Sequence, residues 1–155
     1  MSSAFKRTVP VSWHELHRIT RNLAQELPRH GAWKGIVAIA RGGMMPAAIV
    51  ARELGIRRVE VVASASYADR TRGPVKILSD VDALKRSCGE GTGWLVIDDI
   101  ADTGSTMQAV RAILPHAHAV AIYVKPAARR DVDSFAVEVE QDSWIEFPWD
   151  AAAPE

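Results

Sequence analysis

Asp98-Asp99-Ile100-Ala101-Asp102-Thr103-Gly104-Ser105-Thr106 gathers carboxylates, hydroxyls and a glycine into one short stretch. The hydroxyls of Thr103, Ser105 and Thr106 can donate to an anion, and Gly104 lets the backbone approach one closely. The carboxylates repel a bare phosphate but suit a ribose diol or a magnesium ion. Together they point to a sugar phosphate, not a lone phosphate. Asp-Asp alone reads equally as an acidic, solvated turn before a Ser/Thr helix cap. The whole stretch does not. A second cluster, Arg41-Gly42-Gly43, puts a cation beside two glycines.

Both clusters follow apolar runs. Trp94-Leu95-Val96-Ile97 reads as a strand buried on both faces, and Met107 to Leu114 has helical spacing. A strand, a turn and a helix in that order leave unpaired N–H groups and a positive helix end at the carboxyl edge of the sheet. Ligands of open parallel sheets bind there. Gly35 to Ala40 is a second such strand, so Arg41 falls at the same edge as Asp98. Arg-Gly-Gly by itself is also a flexible turn with a solvated cation; two tips of complementary chemistry favour a shared site. Pro46 suits the first turn of a helix through Leu54, and Gly55 its stop. No Gly-Lys-Ser/Thr phosphate loop and no Gly-x-Gly-x-x-Gly dinucleotide turn occurs.

The remaining elements build the support. Val9-Pro10-Val11 reads as a short edge strand. Ser12 and Glu15 form a capping box for a helix with Leu16, Ile19, Leu23, Ala24 and Leu27 on one stripe, ended by Pro28 and Gly31. Val59 to Ala63 and Ala117 to Val124 are further strands, the latter leading into Lys125-Pro126. Phe135, Val137 and Val139 alternate as in a half-exposed strand. Ser64 to Ser79 is polar, basic and turn-rich, long enough for a lid, and Asp80 to Gly93 is a second variable stretch. Trp144, Phe147 and Trp149 crowd the tail, where core packing is the default and cover for a planar ligand the alternative. The pattern predicts one mainly parallel α/β domain over residues 1–155 with a small terminal flap.

Bulk properties exclude several classes. The chain has 155 residues, 48% hydrophobic and 25% charged, as in an ordinary globule. Nineteen basic and nineteen acidic side chains leave no net charge, and so no footprint for nucleic acid. The single cysteine, Cys88, rules out an internal disulfide and fits a reducing cytosol. It lies in a loop-like run without a nearby histidine and is no candidate nucleophile. No apolar run approaches the roughly 18 residues of a membrane span. His14, His17 and His30 scatter about the first helix as solvated surface.

Four apolar residues, Asp-Asp and then Thr-Gly-x-Thr resemble the phosphoribosyl pyrophosphate signature of type I phosphoribosyltransferases. Trp33-Lys34-Gly35-Ile36, Arg41-Gly42-Gly43, Ala51 to Arg57, Ser66-Tyr67, Lys125-Pro126-Ala127 and Gln141 to Glu146 extend the likeness over nearly the whole chain. The Lys-Pro-Ala and Trp-Ile-Glu pieces are similar to the bacterial xanthine-guanine branch. The resemblance implies the type I fold, with a lid at about 64–79 and a base-covering hood at about 132–150. It implies a purine salvage reaction, transfer of phosphoribosyl to guanine and xanthine, and less well to hypoxanthine, with release of pyrophosphate and GMP, XMP or IMP. Thr103 to Thr106 would hold the 5′-phosphate, with Ile100 and Ala101 in the same substrate-binding stretch. Asp98 and Asp99 would hold the ribose hydroxyls and organise Mg2+, Asp99 at the metal. Arg41 and Gly42 would contact pyrophosphate, and Asp102 would take or share the proton on the purine's imidazole nitrogen. Lys125 would donate to the six-position oxygen, Trp144 stack on the base, and the Ile145 backbone meet its two-position edge. The loop arginine of relatives aligns near Gly73, which leaves Arg72 or Arg70 to replace it. Related enzymes often carry a non-proline cis peptide beside the residue at Arg41. The likeness also implies a cytoplasmic homotetramer or homodimer and, as in some relatives, peripheral association with the cytoplasmic face of the inner membrane.

Two other functions share part of this pattern. A regulatory protein could keep the pocket and lose catalysis, but it would not need Asp102 and Lys125. A transferase for a different base, a pyrimidine or adenine, is the other; Lys125 disfavours adenine, whose six-position amine is itself a donor.

Overall fold

In the computed structural model, which describes residues 5–66 and 74–150, six strands carry the site. β1 (Arg7–Pro10) and α1 (Trp13–Glu26) come first, then β2 (Gly35–Ala40), α2 (Met44–Leu54) and β3 (Val59–Ser66). β4 (Val75–Ile77), α3 (Val81–Cys88), β5 (Trp94–Ala101), α4 (Ser105–Ile113), β6 (His118–Val124), β7 (Ser134–Glu138) and β8 (Ser143–Glu146) follow. The main sheet has the order β4-β3-β2-β5-β6-β7. Its pairings are parallel except β3 with β4. β5 lies between two parallel neighbours, which is why Trp94 to Ile97 is apolar on both faces.

Helices cover both faces. Leu16 and Leu23 of α1 and Val50 of α2 pack with Ile36, Leu95 and Ile122 in one core. Leu84 of α3 and Val110 of α4 pack with Val37, Val96 and Ala119 in the other. The Ser12 hydroxyl accepts from the Glu15 N–H at 3.1 Å, as its capping box predicts. Among the described residues no helix is long and apolar enough to cross a membrane.

Several boundaries differ from the sequence reading. α1 ends at Glu26 and tightens into a 3-10 turn, Leu27–His30, because Pro28 cannot continue an α-helix. β1 is outside the main sheet and pairs in parallel with β8 in a separate two-stranded ribbon. β7, within the stretch expected as a hood, joins the main sheet beside β6. β3 runs on to Ser66 and pairs antiparallel with β4, and the Leu78 N–H donates to the Ala63 carbonyl, so both ends are a paired arm. Residues 67–73, with Tyr67, Arg70 and Arg72, lie outside the described residues. The variable stretch after Ser79 contains α3, capped by the Asp80 carboxylate on the Ala83 N–H at 3.0 Å. Cys88 is the last residue of that helix and not in a loop. Burial pushes its thiol up to about 11, in keeping with an inert side chain.

Candidate active site

β5 ends at Ala101, and the turn that follows brings Gly104 to φ 89°, the left-handed region that favours glycine. A Cβ there would strike the Asp131 carboxylate, which Gln108 Nε2 holds at 3.1 and 3.2 Å. α4 begins at Ser105 with no side chain capping it from Gly104. Thr103 Oγ1 lies 3.0 Å from Ser105 Oγ and takes the Ser105 N–H at 3.4 Å. The positive end of α4 and its first-turn N–H groups thus face an anion together with the hydroxyls. Asp98 and residues 100–107 line the resulting cavity of about 90 Å³.

The Arg41 turn packs onto the tip of β5. A Cβ at Gly42 would meet the Asp99 carboxylate, and one at Gly43 the carbonyls of Ile39 and Ile97. Only glycine permits both approaches. The Ala40–Arg41 peptide is cis, as the resemblance implies. Arg41 is exposed and shares an open cleft of about 670 Å³ with Gly42, Asp99, Met44 and Met45. Neighbouring strand residues point to opposite faces, so Asp98 lines the phosphate cavity and Asp99 the larger cleft.

The two aspartates remain electrically linked. Asp98 Oδ1 accepts from the Asp99 N–H at 2.9 Å, and Asp99 Oδ1 from the Ile100 N–H at 2.7 Å. Burial raises the Asp98 carboxyl well above the usual range, and the Asp99 charge adds to it. Burial also raises Asp99, with a smaller push from Asp150, against a lowering hydrogen bond from Asp98. Among the described residues no ion pair involves either aspartate. A half-buried acid pair with no cationic partner among the described residues fits a divalent cation. Among the described residues no group of three or more His, Cys, Asp or Glu could hold one unaided. The pair therefore suits a hydrated ion shared with substrate oxygens, the usual habit of magnesium.

A third cluster is built at the ends of β5 and β6. Lys125 is 2% exposed, and its Nζ donates to Asp102 Oδ2 at 3.1 Å. Gln141 Nε2 donates to Asp102 Oδ1 at 2.9 Å, while Gln141 Oε1 accepts from the Ala127 N–H at 2.9 Å. At the two ends of the ribbon, Lys6 and Val11 donate to the carbonyls of Asp142 and Glu146. By strand alternation the Ile145 N–H and C=O then face away from β1. The Ile145 side chain is buried in the core, and Trp144 is half-buried on the other face of β8, its ring 5.2 Å from Phe5.

The structure thus brings Asp98 and Ile100 to Thr106 into one cavity, Arg41, Gly42 and Asp99 into a second, and Lys125 against Asp102. Arg72 is outside the described residues. Sequence reasoning missed Gln141, Phe5, Gln108 and Asp131. Their role comes from tertiary contacts, and an exposed amide or a residue before the first strand carries no periodic signal. A parallel sheet whose carboxyl edge holds an anion loop, an acid pair and an arginine turn defines a protein that binds a phosphorylated sugar.

The model of the phosphoribosyl transferase domain matches residues 12–155. The chain is 47% identical over 150 residues to the xanthine-guanine phosphoribosyltransferase of Desulfotalea psychrophila, covering 97% of this chain and 91% of that protein. It is 48% identical over 153 residues to that of Nitratidesulfovibrio vulgaris strain Hildenborough, with the same coverage. The chain belongs to the phosphoribosyltransferase family, among its xanthine-guanine members. Among solved structures, the xanthine-guanine-hypoxanthine phosphoribosyltransferase of Helicobacter pylori superposes with a TM-score of 0.75 at 21% identity, covering 94% of this chain and 95% of that one. A purine phosphoribosyltransferase from Pyrococcus horikoshii gives 0.72 at 22%, covering 96% and 97%. Both show the fold.

Proposed function

We propose that the protein transfers the phosphoribosyl group of phosphoribosyl pyrophosphate to guanine and xanthine, and less well to hypoxanthine, releasing pyrophosphate and GMP, XMP or IMP. One observation carries this reading: a buried lysine joined at 3.1 Å to a carboxylate that borders the phosphate loop. A loop that only held a sugar phosphate would have no use for that pair. A purine whose six-position oxygen accepts from Lys125 brings its imidazole nitrogen towards Asp102, which takes or shares the proton as the nitrogen attacks the anomeric carbon. The carbon–oxygen bond to pyrophosphate breaks in the same displacement. Thr103 to Thr106 grip the 5′-phosphate, Asp98 and Asp99 the ribose hydroxyls, and Arg41 with the Gly42 N–H receives the departing pyrophosphate. Trp144 stacks on the base.

Mg2+, held at Asp99 with Asp98 beside it, would neutralise charge on the leaving pyrophosphate. Arg72 or Arg70 would close over it from the arm between β3 and β4. The same reading carries a homodimer or homotetramer in the cytoplasm, which light scattering tests.

The test is turnover with phosphoribosyl pyrophosphate, magnesium and each base in turn. Guanine's two-position amine can donate to the Ile145 carbonyl; hypoxanthine leaves that acceptor unpaired, a cost of about 1–3 kcal/mol. The expected order is guanine, xanthine close behind, hypoxanthine weakest, adenine inactive. Hypoxanthine equal to guanine removes the Ile145 contact; no turnover with any base refutes the reading.

A further inference from the structure

Phe5 stands where this reading needs the purine to be. Its ring centre is 5.2 Å from that of Trp144, with the planes at 51°, and 5.1 Å from Lys125 Nζ. A base accepting from Lys125 at about 2.9 Å has its ring centre roughly 5–6 Å from Nζ. A base stacked on Trp144 has its centre about 4.5–7 Å from the indole. Phe5 meets both conditions at once. It also accounts for a disparity within the ion pair, where Lys125 is 2% exposed while its partner Asp102 is 47% exposed. Lys6, the next residue, is tied to Asp142 through its N–H on the carbonyl at 3.0 Å and its Nζ on the carboxylate at 3.3 Å. Phe5 therefore sits just ahead of the ribbon that carries Trp144.

We propose that Phe5 is an internal stand-in for the base: its ring fills the purine position in the free enzyme and must leave when a purine or nucleotide enters. The inference rests on the roles given above to Lys125 and Trp144. While seated, the ring packs at a tilt against Trp144, lies over the ammonium as a cation–π partner and covers Lys125 Nζ. The bound base takes over all three tasks. A ligand that must displace the ring binds with an affinity reduced by the fraction of molecules already open. If the ring is seated about 70–90% of the time, emptying the position strengthens binding by about 3- to 10-fold. Phosphoribosyl pyrophosphate carries no base and escapes this competition.

The experiment compares the whole enzyme with Phe5→Ala and Phe5→Leu. Calorimetric titration with GMP should give a Kd about 3- to 10-fold lower in Phe5→Ala, with Phe5→Leu between it and the wild type. The Kd for phosphoribosyl pyrophosphate should stay within twofold. Acetylation of Lys125 in the free protein, followed by mass spectrometry, should be faster in Phe5→Ala. An unchanged or weaker GMP affinity together with unchanged labelling of Lys125, in a wild type that turns over guanine, overturns the inference alone. A wild type that turns over no purine overturns the base-site reading, and the inference with it.

Discussion

Lys125→Met tests the base-recognising cation without disturbing the core around it. Methionine replaces the buried aliphatic stem at similar bulk, so no large cavity follows. The Asp102 carboxylate left behind is 47% exposed and keeps Gln141 at 2.9 Å. The penalty of about 3–5 kcal/mol for stranding a buried charge therefore does not apply, and the folded state should lose no more than about 1 kcal/mol. Activity should respond otherwise. A hydrogen bond from an ammonium in a site closed to water contributes about 1.5–3 kcal/mol. At 1.36 kcal/mol per factor of ten, kcat/KM should fall roughly 10- to 160-fold for guanine, xanthine and hypoxanthine alike. Specificity constants at saturating phosphoribosyl pyrophosphate, beside a thermal melt, decide it. Retention of more than half the wild-type value on guanine would refute the argument, as would a loss confined to one base.

The acid pair, the phosphate loop and the buried thiol each give a further expectation. Asp99→Asn should remove most turnover in saturating magnesium while the protein stays folded, measured by initial rates and circular dichroism. Asp98 has its folded pKa raised, so its contribution to stability is present at low pH and lost as pH rises through that value. Asp98→Asn should accordingly melt no lower than the wild type at pH 7 in chelator, a result calorimetry reads directly. Gly104→Ala forces a side chain into φ 89° against Asp131, a cost of about 1–3 kcal/mol. Its KM for phosphoribosyl pyrophosphate should rise more than its KM for guanine. With a pKa of about 11, Cys88 is a thiolate in only about one molecule in a thousand at pH 8. A disulfide reagent should label it slowly until urea unfolds the chain.

What could be read from the residues alone follows from how each feature is encoded. Gly35 to Ala40 and Trp94 to Ile97 are apolar because both faces of a parallel strand are buried, and such runs stand out. The anion loop was legible because backbone geometry there demands particular residue types, as Gly104 shows. Edges and ribbons were not. β7 has the half-exposed alternation expected equally of a hood and of a sheet edge. β4 is too short to show a period, and its pairing with β3 depends on partners in the fold. Gln141 entered only as part of a matched piece. Its hydrogen bonds to Asp102 and Ala127 span sequence separations of 39 and 14 residues.

Register explains why so few residues suffice. Ala101 pairs with Val124 in the β5–β6 ladder, and the Lys125 N–H donates to the Ala101 carbonyl at 3.0 Å. Asp102 and Lys125 are therefore the next residues of adjacent strands, so the ladder places the carboxylate beside the ammonium with no loop to be ordered first. On the other side Ala38 pairs with Ile97. Counting on from that pair sets Ala40 beside Asp99, one residue short of Arg41. A slip of one residue would carry every side chain to the opposite face of the sheet, and the two differently packed cores that hold the valines and isoleucines of β2, β5 and β6 oppose it. The apolar cores that hold these three strands in step thus also fix which charges meet at their ends. A core substitution that shifted β6 against β5 should impair base transfer before it unfolds the protein.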